Sequence, residues 1–211
     1  MIKIHPSSLG MIMSPAKSKK DLLSVGAKTH CYDLAKEYVY CYRAEISSKY
    51  LKKGNECEDD SIALYNDVYG TSYAKNTVRE ENDYLTGECD IKDVNLIIDM
   101  KTSWSLVQFP TTKEKAHDKD YEWQGRAYMI LYGCDHFRLA FCLVSTPEDL
   151  IKYESEDNKL LHYVDMIDPR LRVTTVDYVR DEEKDKLIET KCKAAQEQVE
   201  EYINQIATDH N

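Results

Sequence analysis

Residues Gly87–Ser103 read GECDIKDVNLIIDMKTS. Two apolar-rich segments flank a polar turn near Lys92, Asp93 and Asn95, which is the pattern of a β-hairpin. Alternation along the second strand puts Ile97, Asp99 and Lys101 on one face and Leu96, Ile98 and Met100 on the other. With the turn centred on Asp93–Val94, Asp90 sits across from Ile97 and diagonally from Asp99, roughly 7 Å away at Cα. Two carboxylates and a lysine then share one patch. Such a pair repels itself unless a cation lies between its members. Lys101 or a metal ion would serve, and oxygen-only ligands suit Mg²⁺ or Mn²⁺ better than Zn²⁺. Asp90 followed by Asp99-x-Lys101 is thus a residue set for metal-assisted phosphodiester hydrolysis. Asp-x-Lys alone is a common pattern of exposed charges, so the assignment depends on the rest of the chain.

A chain of 211 residues is expected to form one domain, 1–211, with a sizeable core. No segment approaches the roughly 18 apolar residues of a membrane span. The N-terminus, MIKIHPSSLG, lacks the apolar run of a signal peptide, so a cytoplasmic location is expected. The seven cysteines, at 31, 41, 57, 89, 134, 142 and 192, are odd in number and form no C-x-x-C pair. That argues against a disulfide framework and against zinc and predicts small buried hydrophobes. The net charge of −10 counts against a uniformly basic nucleic-acid groove. Binding to phosphates would need local clusters of Lys and Arg, or metals that carry part of the charge.

Taken in order, Ser7 or Ser8 can cap a short helix through Met13. Asp21–Arg43 has helical spacing, with Gly26 predicted to break it, Thr29 to cap the second part and Lys28 to lie at the break. Gly54 and Gly70 are predicted to end successive segments. Between them Glu58, Ile62 and Tyr65 share one stripe, so Glu58 lies at a core-facing edge where a carboxylate needs a partner. Residues 75–85 are read as a strand preceding the hairpin. Asp118–Tyr132 is a helix with Tyr121, Gln124, Tyr128 and Leu131 on one face. HFRLAFCLVS, residues 136–145, is a central strand, and Leu171–Val179 an edge strand. Asp181–Ala207 is one long helix striped by Ile188, Cys192, Ala195, Val199, Tyr202 and Ile206. The expected class is α/β of the α+β mixed kind, a central mixed β-sheet flanked by helices.

This order, with these residues, resembles the PD-(D/E)XK nuclease superfamily, and within it the lambda exonuclease and YqaJ branch of phage recombination nucleases. Gly54-Asn55-Glu56-Cys57-Glu58 is similar to the family's Gly-x-x-x-Glu helix. Asp90 stands where the family has the first metal aspartate, although Cys89 and Ile91 replace its usual Pro and Gly. Ile98-Asp99-Met100-Lys101 resembles the (D/E)-x-K strand, with Asp in place of the more usual Glu. Tyr121-Glu122-Trp123-Gln124 resembles the Tyr-x-x-Gln helix.

The resemblance implies a restriction-endonuclease-like αβββαβ core with a long C-terminal helix. It implies one or two Mg²⁺ (or Mn²⁺) per site, held by Asp90, Asp99, the Met100 carbonyl and Glu58, with Lys101 and Gln124 completing the catalytic set. Ser8, Lys28, Ser103, Trp104, Tyr121 and Arg126 are the candidate DNA contacts. The implied reaction is 5′-to-3′ hydrolysis from double-stranded DNA ends in phage recombination, in the host cytoplasm. A ring-shaped homo-oligomer, a trimer favoured, and a single-strand annealing protein are the implied partners. The alternatives are a structure-selective or nicking endonuclease of the same superfamily and, from another class, a catalytically silent DNA-binding module. The iron–sulfur nucleases of CRISPR adaptation are disfavoured, because the cysteines lack the required clustering.

Overall fold

The computed structural model describes residues 2–18, 20–43 and 48–210. A 3-10 turn at Pro6–Ser8 leads into α1 (Leu9–Met13), followed by α2 (Val25–Val39), α3 (Lys49–Glu56) and α4 (Glu58–Tyr69). The short strands β1 (Glu80–Glu81) and β2 (Thr86–Gly87) pair with each other. The hairpin is β3 (Ile91–Asp93) and β4 (Leu96–Thr102). After it come α5 (Lys113–Ala116), α6 (Lys119–Tyr132) and β5 (His136–Cys142). Two single turns, α7 (Glu148–Ile151) and α8 (Glu156–Lys159), precede β6 (Val173–Val179) and α9 (Glu182–Asp209).

The main sheet has the order β3-β4-β5-β6 and is mixed: β4 and β5 run parallel, and both outer pairings are antiparallel. A parallel neighbour requires a crossover, and α6 supplies it. The alternation in β4 sorts its side chains as the sequence predicts. Ile98 and Met100 pack with Ile62, Leu64 and Tyr65 of α4, whereas Ile97 packs with Tyr128 and Met129 of α6. Beyond α6 lies a helical layer. There the small residues Ala27, Cys31 and Ala35 of α2, spaced by four, meet Ile188, Cys192, Ala195 and Val199 of α9, and their size allows close ridge-into-groove packing. All seven cysteines are free thiols, and six are buried in these cores. Among the described residues no helix is long and apolar enough to cross a membrane.

Two buried lysines tie the layers together. Lys53 of α3, with no exposed surface, donates to the carbonyls of Ser103 (2.8 Å), Trp104 (3.0 Å) and Val144 (2.8 Å). Lys191 of α9 donates to the carbonyls of Ile12, Met13 and Ser14 at the end of α1, groups a helix terminus leaves unsatisfied.

Four local expectations are corrected. The hairpin turns at Val94–Asn95, one residue later than predicted. Asp93 stays in the strand because its carboxylate accepts from the Val94 N–H and the Tyr73 hydroxyl. The register pairs Ile91 with Ile98, so Asp90 follows opposite Asp99 rather than across from Ile97. Gly26 breaks nothing: Ser24 caps α2 by accepting from the Ala27 N–H, and Thr29 lies inside the helix. Gly54 falls within α3, which ends at Cys57. Of residues 75–85 only Glu80–Glu81 form strand. The preceding segment is fixed instead by the side chain of Asn76, which donates to the carbonyls of Val78 and Cys89.

Candidate active site

Asp99 sits in the middle of β4 with 2% of its surface exposed. An isolated carboxylate there would be prohibitively desolvated, and its neighbours supply the compensation. Gln124 of α6 donates through Nε2 to Asp99 Oδ1 at 3.1 Å. The Lys101 ammonium lies 2.7 Å from Asp99 Oδ2 and pairs with it. Lys101 Nζ donates to Gln124 Oε1 at 3.2 Å and stands over the Tyr121 ring, 4.5 Å from its centroid, a favourable cation–π position. Gln124 therefore joins both charged groups, which a residue with only donors or only acceptors could not do.

Asp90 completes the patch. Its Oδ2 accepts the Met100 N–H at 2.6 Å. Burial and then the charge of Asp99 push its pKa up to about 7, against the pull of that hydrogen bond and of Lys101. For Lys101, burial disfavours the charge, but the Asp99 charge and contact outweigh it and raise the pKa. Tyr128, beside Gln124, is held protonated by burial and by the Asp99 charge. The Pro6 ring packs so closely on Gly87 that any β-carbon there would collide with it, which brings the amino-terminal turn over this edge of the site.

Glu58 opens α4 and is half-buried, as its stripe predicts. Its Oε2 is 2.5 Å from Lys75 Nζ, and its charge acts on Asp90. The Met100 backbone reaches the pair through its N–H, which donates to Asp90, while its side chain is buried on the opposite face of β4 with Ile62, Tyr65 and Ile98. The structure thus brings together Glu58, Asp90, Asp99, Met100, Lys101, Tyr121 and Gln124. Three of the candidate DNA contacts are placed otherwise. The Arg126 side chain is 5% exposed and spent on Glu122 and the Val179 carbonyl. Trp104 is sealed at 7% exposure against Tyr50 and His162, so it offers no free stacking face. Ser103 is buried beside it, its carbonyl bound to Lys53. Ser8 is half-buried, and its hydroxyl donates to the His5 carbonyl. Lys28 lies on α2 in the outer helical layer.

Sequence reading missed Lys75, because it took residues 75–85 for a strand, whereas Lys75 lies in irregular backbone. It also missed His5, Arg43 and Arg79, which gather from distant positions. Burial and then the charges of Arg43 and Arg79 lower the His5 pKa.

Among the described residues no three acidic, histidine or cysteine side chains converge as a ready-made metal cage. The donor set nonetheless fits a hard divalent cation. It offers carboxylate oxygens, one of them buried with only the Lys101 ammonium beside it, and a second carboxylate whose ionisation Asp99 opposes. Asp90, Asp99 and the Met100 carbonyl would hold such an ion.

No family model matches the chain, and no curated protein matches it. Among solved structures it is similar to a phage-related exonuclease from Haemophilus somnus 129PT, with 36% identity, 97% of this chain and 96% of that one covered, and a TM-score of 0.90. It also shares its fold with an alkaline exonuclease from Laribacter hongkongensis, with 15% identity, 99% and 93% covered, and a TM-score of 0.73. A complex of that alkaline exonuclease with dAMP gives 16% identity and a TM-score of 0.71.

Proposed function

Since the chain belongs to the lambda exonuclease and YqaJ family of PD-(D/E)XK nucleases, and is a nuclease of the exonuclease kind, we propose that it hydrolyses double-stranded DNA from its ends. We assign it 5′-to-3′ polarity, Mg²⁺ (or Mn²⁺) dependence and a role in phage recombination. One observation carries the reading: a buried Asp99 shares Gln124 with Lys101 and faces Asp90 across the hairpin.

Asp90, Asp99 and the Met100 carbonyl would hold the divalent cation. Such an ion would supply Lewis-acid chemistry there, lowering the pKa of water and offsetting charge on the phosphate. The remaining steps belong to the chain. Lys101 keeps its proton on Nζ, since its pKa is raised, so it serves as a positive donor to the attacking water and the phosphate rather than as a base. Gln124 fixes the distance between Lys101 and Asp99, and Tyr121 forms the floor beneath the ammonium. The amino-terminal turn lies over one edge, with Arg43 and Arg79 as the cations that would meet a terminal phosphate and His5, its pKa lowered by burial and by their charges, beside them.

The test is digestion of end-labelled duplex with and without Mg²⁺, alongside nicking of a closed circular plasmid. Release of nucleotides from 5′-labelled ends that requires Mg²⁺ and Asp99 is expected. Nicking of closed circles would favour an endonuclease, and binding without hydrolysis a silent DNA-binding module.

A further inference from the structure

The segment entering the hairpin places a second lysine at the acidic pair. Asn76 fixes the backbone there. Its N–H donates to the Asp90 carbonyl at 2.7 Å. Its side-chain amide donates to the Cys89 carbonyl at 3.1 Å and the Tyr132 hydroxyl at 3.2 Å. Lys75 therefore stands beside Asp90, with its ammonium 2.5 Å from Glu58. Lys101 alone would leave Glu58, Asp90 and Asp99 with an excess of negative charge, and Lys75 offsets part of it. The two lysines differ in freedom. Lys101 is held between Asp99, Gln124 and Tyr121, with 22% of its side chain exposed. Lys75 is 46% exposed on a long, rotatable stem, so it can leave Glu58 without disturbing the core.

We propose that Lys75 is a displaceable counter-cation: it holds Glu58 away from the aspartate pair and gives way when a divalent cation arrives, so that it sets the affinity of the site for that cation. The inference rests on the metal-site reading given under Proposed function. An ion approaching Glu58 meets a like charge already paired there, and removing the ammonium removes that competition. Glu58 then becomes a ligand only after exchange, which accounts for the absence of a three-carboxylate cage among the described residues.

The experiment is calorimetric titration of Mn²⁺ into the metal-free protein, without DNA. Lys75→Met should bind Mn²⁺ at least about threefold more tightly, the scale set by losing one exposed ion pair. Lys75→Arg should stay near wild type, and Glu58→Gln should bind more weakly. Adding Lys75→Met to Glu58→Gln should tighten binding by less than it does in the wild type, because the carboxylate the lysine pairs with directly is gone. Unchanged or weaker binding by Lys75→Met, with binding lost in Asp99→Asn, would overturn the role of Lys75 and leave the metal site intact. Binding that survives in Asp99→Asn would overturn the metal site itself.

Discussion

At the scale of single residues, the site is an arrangement of charges that oppose one another. Asp99 favours the charged form of Lys101, and in the proposed mechanism its contribution is to charge developing on the phosphate. Lys101→Ala should therefore lower the hydrolysis rate by about 10²-fold, the scale for one lost donor at a developing oxyanion, while circular dichroism stays unchanged. An unimpaired variant would refute the role. Asp90 gives the opposite kind of test. Burial and the neighbouring Asp99 raise its folded pKa to about 7, whereas in the unfolded chain a carboxyl titrates near about 4. The native state thus binds that proton more tightly. In the metal-free protein its stabilising contribution is complete below about pH 4 and is lost as pH rises through about 7. Asp90→Asn cannot ionise, so the melting temperature of the metal-free wild type should fall relative to the variant across that window. Parallel melting curves in the presence of a chelator would contradict this.

At the scale of elements, α6 brings Gln124 to Asp99 because it lies unusually close to β5. Gly125 permits the approach: a methyl there would overlap the Phe137 ring. Gly125→Ala should lose about 1–3 kcal/mol, the cost of overpacking, and should slow hydrolysis as Gln124 moves. Phe137→Leu in the same chain should restore part of both, and a harmless single variant would show that α6 is not held by this contact. Spacing along the chain foretold the element that carries most of the site. The alternation of β4 set Asp99 and Lys101 on one face, and the stripe of α6 put Tyr121 and Gln124 on another that meets it. What spacing could not reach was contact between irregular segments. The turn moved by one residue because Asp93 found partners in Tyr73 and the Val94 N–H, a tertiary event invisible to alternation. Arg126 looked available for DNA, yet Glu122, one helical turn before it, and the Val179 carbonyl claim it. Trp104 was a candidate DNA contact, yet Lys53 pins its carbonyl and Tyr50 covers its ring. Lys75 escaped notice because Asn76, rather than a strand ladder, fixes its backbone.

At the scale of the whole molecule, the proposed reaction would require a chain of net charge −10 to hold a polyanion through a short basic track. Removing Arg126 from that track leaves Lys113 and Lys115 as its best-placed members after the hairpin. Both are exposed on α5 and make no ion pair with a described residue. The helix leads directly into α6, whose first turn carries Tyr121 beneath Lys101. Lys17 and Lys20 are also exposed, on the amino-terminal side. Each lysine that neutralises a phosphate adds about 0.9 to the slope of log affinity against log salt. Replacing both Lys113 and Lys115 by Gln should therefore reduce the slope by about 2. Lys193→Gln, which breaks only the Glu189 ion pair on the outer face of α9, should leave it alone. An unchanged slope in the double variant would remove α5 from the track. A ring of subunits would add a second signature, because enclosed DNA is retained by topology even where each contact is weak. Initial binding should then weaken steeply with added salt while digestion already under way continues. Measuring solution mass together with both salt dependences tests the two ideas separately: a strict monomer would remove the ring, and binding indifferent to salt would remove the track.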